Sequence, residues 1–159
     1  MLFDTLDGAI ADIDSLQDYN LDHLIKHYGI SFQYSSSLPN RVYGFSLPYT
    51  NTMFINANTE YPERIKAHEL IHCLVDDSAN PLIESTYVSN TKIEGRADRG
   101  GFYLMIMDYL NLTGIEPSQF NILKFCEQYH VPEKYVYTAG LVANQVLDIS
   151  LDDDDFIAN

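Results

Sequence analysis

The sequence predicts an α+β domain, with a small antiparallel sheet packed against helices. Three observations lead there. Short segments rich in Val, Ile, Phe, Tyr and Thr cluster between residues 30 and 56. On either side of them apolar residues recur at intervals of three and four, the helical rhythm. The chain of 159 residues, 46% hydrophobic and 13% aromatic, is long enough for one domain with its own core.

Residues 4–28 open the chain with helical spacing: Leu6, Ile10, Ile13 and Leu16 form one group. Leu21, Leu24, Ile25 and Tyr28 form a second, with Asn20 as its cap and Gly29 closing it. Ile30 to Tyr34, Arg41 to Ser46 and Thr52 to Asn56 read as strands, separated by the turn clusters SSSLPN and LPYTN. Pro62 then starts a helix, with Glu60 and Glu63 at its electropositive end. Ala67, Leu70, Ile71, Leu74 and Val75 give that helix an apolar stripe, which is expected to leave the opposite face free to line a cleft. DDSANPLIESTYVSNT reads as a linker to a long helix from Lys92 to Leu110, and Gly114 and Pro117 punctuate the chain after it. Helices over 117–129 and 132–147 finish a domain spanning 1–151, and residues 152–159 form an acidic tail. Asp152 to Asp155 read as a solvated end with no chemistry of their own.

Composition narrows the function. Nine basic against twenty-three acidic residues give a net charge of −14, which repels phosphate backbones and argues against direct nucleic-acid binding. The first residues carry acids where a secretory signal has bases, and no apolar run is long enough to span a bilayer, so a cytoplasmic protein without membrane contact is expected. Cys73 and Cys126 have no CxxC spacing and read as buried thiols.

The helix after Pro62 contains His68-Glu69-Leu70-Ile71-His72. Residues four apart on a helix share a face, so both imidazoles can reach one ion. Glu69 lies about 100° further round, where it can serve as general base toward a water at an open coordination position. HExxH specifies only three positions, and an ordinary helix with hydrogen-bonded histidines is the plain alternative. A catalytic zinc takes three protein ligands. Asp76, Asp77, Glu84, Glu94 and Asp98 are the carboxylates in range. Val75 and Ser78 stand where the longer HExxHxxGxxH motif needs Gly and His, so that pattern is absent. Glu94 is the better third ligand and Glu84 the runner-up. Asp98, one turn after Glu94, can take the second ring N–H of a ligating histidine. The plain reading of Glu94 and Asp98 is a solvated face paired with Lys92 and Arg99.

HELIH followed by Glu94-Gly95-Arg96-Ala97-Asp98 resembles the ImmA/IrrE family of zinc metallopeptidases, whose second motif reads E-x-x-A-[DN]. The similarity runs over roughly residues 20–140, including the YGI step into the strands, NTMFINA before the motif helix and CEQYHVPEKYV near the end. It implies a zincin-like fold, one zinc ion on His68, His72 and Glu94, and Glu69 as the general base. It also implies a phage or mobile-element role in a bacterial host cell, as an antirepressor acting on a DNA-binding helix-turn-helix repressor. One departure stands out: Gly100-Gly101 replace the Phe-Ala usual in the family. Interior glycines each cost a helix about 1 kcal/mol against Ala, so they either weaken this helix or permit close packing.

Tyr87, Tyr103, His130 and Arg96 are the candidates for stabilising an oxyanion, although a surface or capping role is the simpler reading of His130. His23 and His27 read as solvent-facing. An extended substrate could add to an exposed sheet edge, expected near Thr52 to Asn56. Two rivals remain: a non-catalytic zinc protein that regulates a repressor by binding, and a DNA-binding module suggested by FNILKFCEQYHVPEKYVYTAGLV, whose second helix offers only Lys134 as a base.

Overall fold

Thr5 starts the first helix, α1 (Leu6–Leu16), by accepting the Gly8 N–H at 3.0 Å. Asn20 does the same for α2 (Leu21–His27), accepting from His23 at 3.1 Å, and Gly29 at φ +67° turns the chain into the sheet. These belong to a computed structural model that describes residues 1–78, 80–85, 92–151 and 153–157, with backbone alone at 84, 85 and 153. Among the described residues the fold is α+β, a small four-stranded mixed sheet with six α-helices.

The strands β1 (Ser31–Ser35), β2 (Val42–Leu47) and β3 (Thr52–Asn56) lie within a residue of their expected bounds. Their arrangement differs from the all-antiparallel sheet expected. The order is β1-β3-β2-β4, with β1 parallel to β3 and the other pairs antiparallel. Apolarity explains it: Met53 and Ile55 are fully buried, which suits β3 to the interior, while β1 is polar enough for an edge. The loop after β1 must then step over one strand position, about 10 Å, to reach β2. Thr52–Asn56 is therefore paired on both sides, and the expectation of a free edge there is overturned. A further strand, β4 (Leu82–Ser85), occupies part of the supposed linker. Only Leu82 and Ile83 carry apolar side chains in it, too short a run to signal a strand.

Helix α3 (Glu63–Val75) runs through the middle of the molecule. Every residue from Arg64 to Val75 is buried, so the helix has no free face, contrary to the two-sided helix expected. Leu70, Ile71 and Leu74 are fully enclosed, each worth about 1.5–3 kcal/mol of burial. Lys66 is buried too, reaching Asp22 at 2.9 Å with its ammonium 5.0 Å from the Phe32 ring centroid.

The long helix α4 (Lys92–Thr113) lies against α3, three residues longer than expected before Gly114 at φ +68° stops it. A Cβ on Gly101 would lie 3.2 Å from the His68 backbone nitrogen, and one on Gly100 would lie 2.9 Å from an Ile71 side-chain carbon. The two glycines thus serve close packing rather than weakening the helix. Helices α5 (Ile122–Gln128) and α6 (Glu133–Leu147) complete the core. Asp154 and Asp155 are exposed, while Asp152 and the Asp153 side chain of the expected solvated block lie outside the described residues; Phe156 anchors the segment, its ring lying where a Cβ on Gly140 would fall. Among the described residues no helix is long and apolar enough to cross a membrane.

Candidate metal centre

The i, i+4 spacing on α3 places the His68 and His72 rings nearly perpendicular, 84° apart, with their Nε2 atoms 3.0 Å from each other. Glu94 reaches across from the first turn of α4. Its Oε2 lies 2.9 Å from His68 Nε2 and 3.3 Å from His72 Nε2. Glu94 and Asp98 sit on the face of α4 that also carries Gly101, so the glycine contact brings these short side chains within reach of α3. The three residues form a group that could hold a metal ion.

Each outer ring nitrogen is held by a carboxylate. His68 Nδ1 is 2.8 Å from Asp98, the partner expected for a ligating histidine, and His72 Nδ1 is 2.7 Å from Asp76. Asp76 also takes the Arg96 guanidinium. Carboxylates accept rather than donate, so the N–H of each imidazole belongs on Nδ1. Both Nε2 lone pairs then face each other and a carboxylate oxygen. Three acceptors this close repel unless a cation or a proton lies among them.

A metal ion fits the spacing. Ligand atoms about 2.1 Å from a tetrahedral zinc stand about 3.4 Å apart, slightly wider than the separations here. The metal-free charges agree. Without a metal a proton takes the cation's place among these atoms: burial alone would push Glu94 up, but the hydrogen bonds it then shares with His68 and His72 hold it at about 2. Burial likewise works to lower His72, and its hydrogen bonds to Asp76 and Glu94 outweigh that and raise it. Both directions favour positive charge at this point.

Glu69 is fully buried on the same helix and is not one of the three residues whose acceptor atoms converge. The histidine side chains are 1–2% exposed, while Glu94 and Asp98 are 17% and 18% exposed, so the centre's outer side is the α4 side. Of the other carboxylates considered as ligands, Asp76 and Asp98 hold the histidines from behind and Asp77 is exposed. The Glu84 side chain and Tyr87 lie outside the described residues.

The remaining oxyanion candidates are engaged elsewhere: Arg96 with Asp76, Tyr103 with Asp14 at 2.5 Å, and His130 stacked on Tyr61. His23, His27 and His130 are exposed, as expected. The partnership of Asp76 with His72 was not foreseen, although the i, i+4 spacing of the two residues carries it. No family model, no curated protein and no solved structure matches the chain.

Proposed function

We propose that the protein is a zinc-dependent metallopeptidase of zincin-like fold that cleaves an intracellular protein, with a helix-turn-helix repressor as its target. The observation that carries this reading is the meeting of three acceptor atoms on His68, His72 and Glu94, with Glu69 next in sequence to the first of them. The likeness of HELIH and EGRAD to the ImmA/IrrE motifs supports the reaction class and the type of target.

His68, His72 and Glu94 would hold the zinc, which when bound supplies an acidified water and polarises the scissile carbonyl. Asp98 and Asp76 fix both imidazoles with Nε2 inward, and Arg96 fixes Asp76 in turn. Glu69 takes the proton of the attacking water and passes it to the departing amine nitrogen, as a buried carboxylate next to the ligand helix face can. The Glu69→Gln variant should retain its metal and lose peptide hydrolysis by about 10²–10⁴-fold, measured on a repressor or casein substrate against the wild type. Metal retained with undiminished cleavage would remove Glu69 from the reaction.

The enclosure of Glu69 and both histidines favours a second reading, a structural metal in a protein that regulates a repressor by binding. In that case Glu69→Gln leaves repressor release intact.

A further inference from the structure

Beside the metal centre, α4 and α6 leave a groove between them that the reaction proposed above does not use. Its near end is a cavity of about 600 Å³, lined by Gly95, Asp98 and Arg99 of α4 and by Lys134, Thr138 and Leu141 of α6. Its far end is a second cavity of about 500 Å³, lined by Arg96 and Arg99 and, from α6, by Val142, Gln145 and Val146. Arg99 lines both cavities and joins them. From Lys134 to Val146 the α6 wall runs about 18 Å, the reach of about five residues of extended chain.

The charges along this groove are unevenly committed. Asp98 is taken by His68 and the Arg96 guanidinium by Asp76. A Cβ on Gly95 would lie 3.4 Å from Arg99 Nη1, so Arg99 lies back over the preceding turn, where the glycine leaves room. The Lys134 ammonium lies 5.0 Å from the Tyr135 ring centroid, a contact that orders the cation without neutralising it. Arg99 and Lys134 are both exposed, and among the described residues neither has a carboxylate within ion-pair distance. Asp4 and Asp7 line the far end, so a further negative charge is disfavoured there.

We propose that the groove docks an extended peptide segment of a partner protein, with an aspartate or glutamate side chain seated between Arg99 and Lys134 and an apolar side chain beside it on Leu141. The Arg99 guanidinium offers paired N–H donors to a carboxylate, and Lys134 adds a point charge from the facing helix. Leu141 is 49% exposed and supplies the apolar contact. In a protein of net charge −14 most of the surface repels an acidic segment, so two of the nine basic residues on one groove single out this position. The docked segment lies against Asp98, one side chain from His68, and is thereby held beside the metal centre.

The test is a titration of isotope-labelled full-length protein with two capped pentapeptides, Ser-Glu-Leu-Ser-Gly and Ser-Gln-Leu-Ser-Gly, read by backbone amide NMR at low ionic strength. The glutamate peptide should give saturable shifts at residues 95–99 and 134–141 and bind about tenfold more tightly than its glutamine counterpart. Arg99→Gln and Lys134→Gln should each weaken the glutamate peptide about fivefold, as loss of a partly exposed ion pair does, and leave the glutamine peptide unchanged. Both substitutions fall at exposed positions, so both variants should fold. Equal affinity for the two peptides, shifts that map to other residues, or an undiminished preference in either variant would overturn the proposal. So would shifts at residues 95–99 that grow with protein concentration before peptide is added, which would make a second copy of the chain the occupant. Binding is read without metal or hydrolysis: a protein that cleaves nothing yet prefers the glutamate peptide would remove the peptidase reading and leave the groove standing.

Discussion

Two polar clusters in this molecule are built on opposite principles. In one, Asp14 accepts hydrogen bonds from Tyr19 at 2.7 Å and Tyr103 at 2.5 Å, tying α1 to α4. Each hydroxyl brings its own proton, and the cluster is complete with protein atoms alone. Burial, then the bond to Asp14, pushes Tyr19 up to about 12 and Tyr103 higher still, so both keep those protons. In the other, His68, His72 and Glu94 bring acceptors to a common point with their donors turned outward. Burial of polar groups is common to both; the balance of donors and acceptors separates a structural clasp from a site that calls for a cation.

Removing a ligand should break that contrast most sharply. His72→Ala is expected to lose stoichiometric metal completely, measured by elemental analysis after dialysis, and Glu94→Ala to do the same. Full metal content in either variant would place the ion elsewhere. Asp98→Asn keeps the shape but unsettles the His68 tautomer, and should weaken metal affinity about 10–100-fold in a chelator competition.

Acidity sharpens the contrast further. In chelator-treated protein His72 is raised above its ordinary 6.5, so its contribution to stability is full below pH 6.5 and fades as pH rises through the raised value. Glu94, lowered from 4.5 to about 2, contributes fully above pH 4.5 and loses that contribution as pH falls toward 2. The metal-free protein should therefore owe most to this cluster between about pH 4.5 and 6.5. Metal needs both imidazoles unprotonated, so stabilisation by added zinc should grow over the same range in which the proton's effect fades. Melting curves across pH with and without zinc would expose a parallel trend as the failure of this picture. The smallest effect belongs to the clasp: Tyr103→Phe should cost about 1–2 kcal/mol in denaturant melts and leave metal content unchanged.

Much of this was legible in the sequence. Periodicity located the helices, and the Asn20 cap fell where expected because a short-range hydrogen bond determines it. His68, His72, Glu94 and Asp98 meet as read, since helical spacing fixes which side chains share a face. What failed was long-range. The exchange of β3 into the sheet interior depends on which strand buries best, not on any turn signal. β4 forms because β2 offers it a pairing edge, a partner that its own two apolar residues do not announce. The enclosure of α3 does not show in the sequence because Arg64, Lys66, His68, Glu69 and His72 are polar; Arg64, Lys66, His68 and His72 are buried with counterparts from α2, α4 and α6 that no local window contains.

A helix with water on no side cannot be rotated or re-surfaced. Saturation mutagenesis across the chain should reveal this as a run of twelve successive intolerant positions, Arg64 to Val75, without a gap. Along α6, where Tyr137 and Leu141 stand in solvent, tolerance should instead come and go with each turn. The one helix that carries both histidines is thereby the part of the molecule with the least freedom to vary.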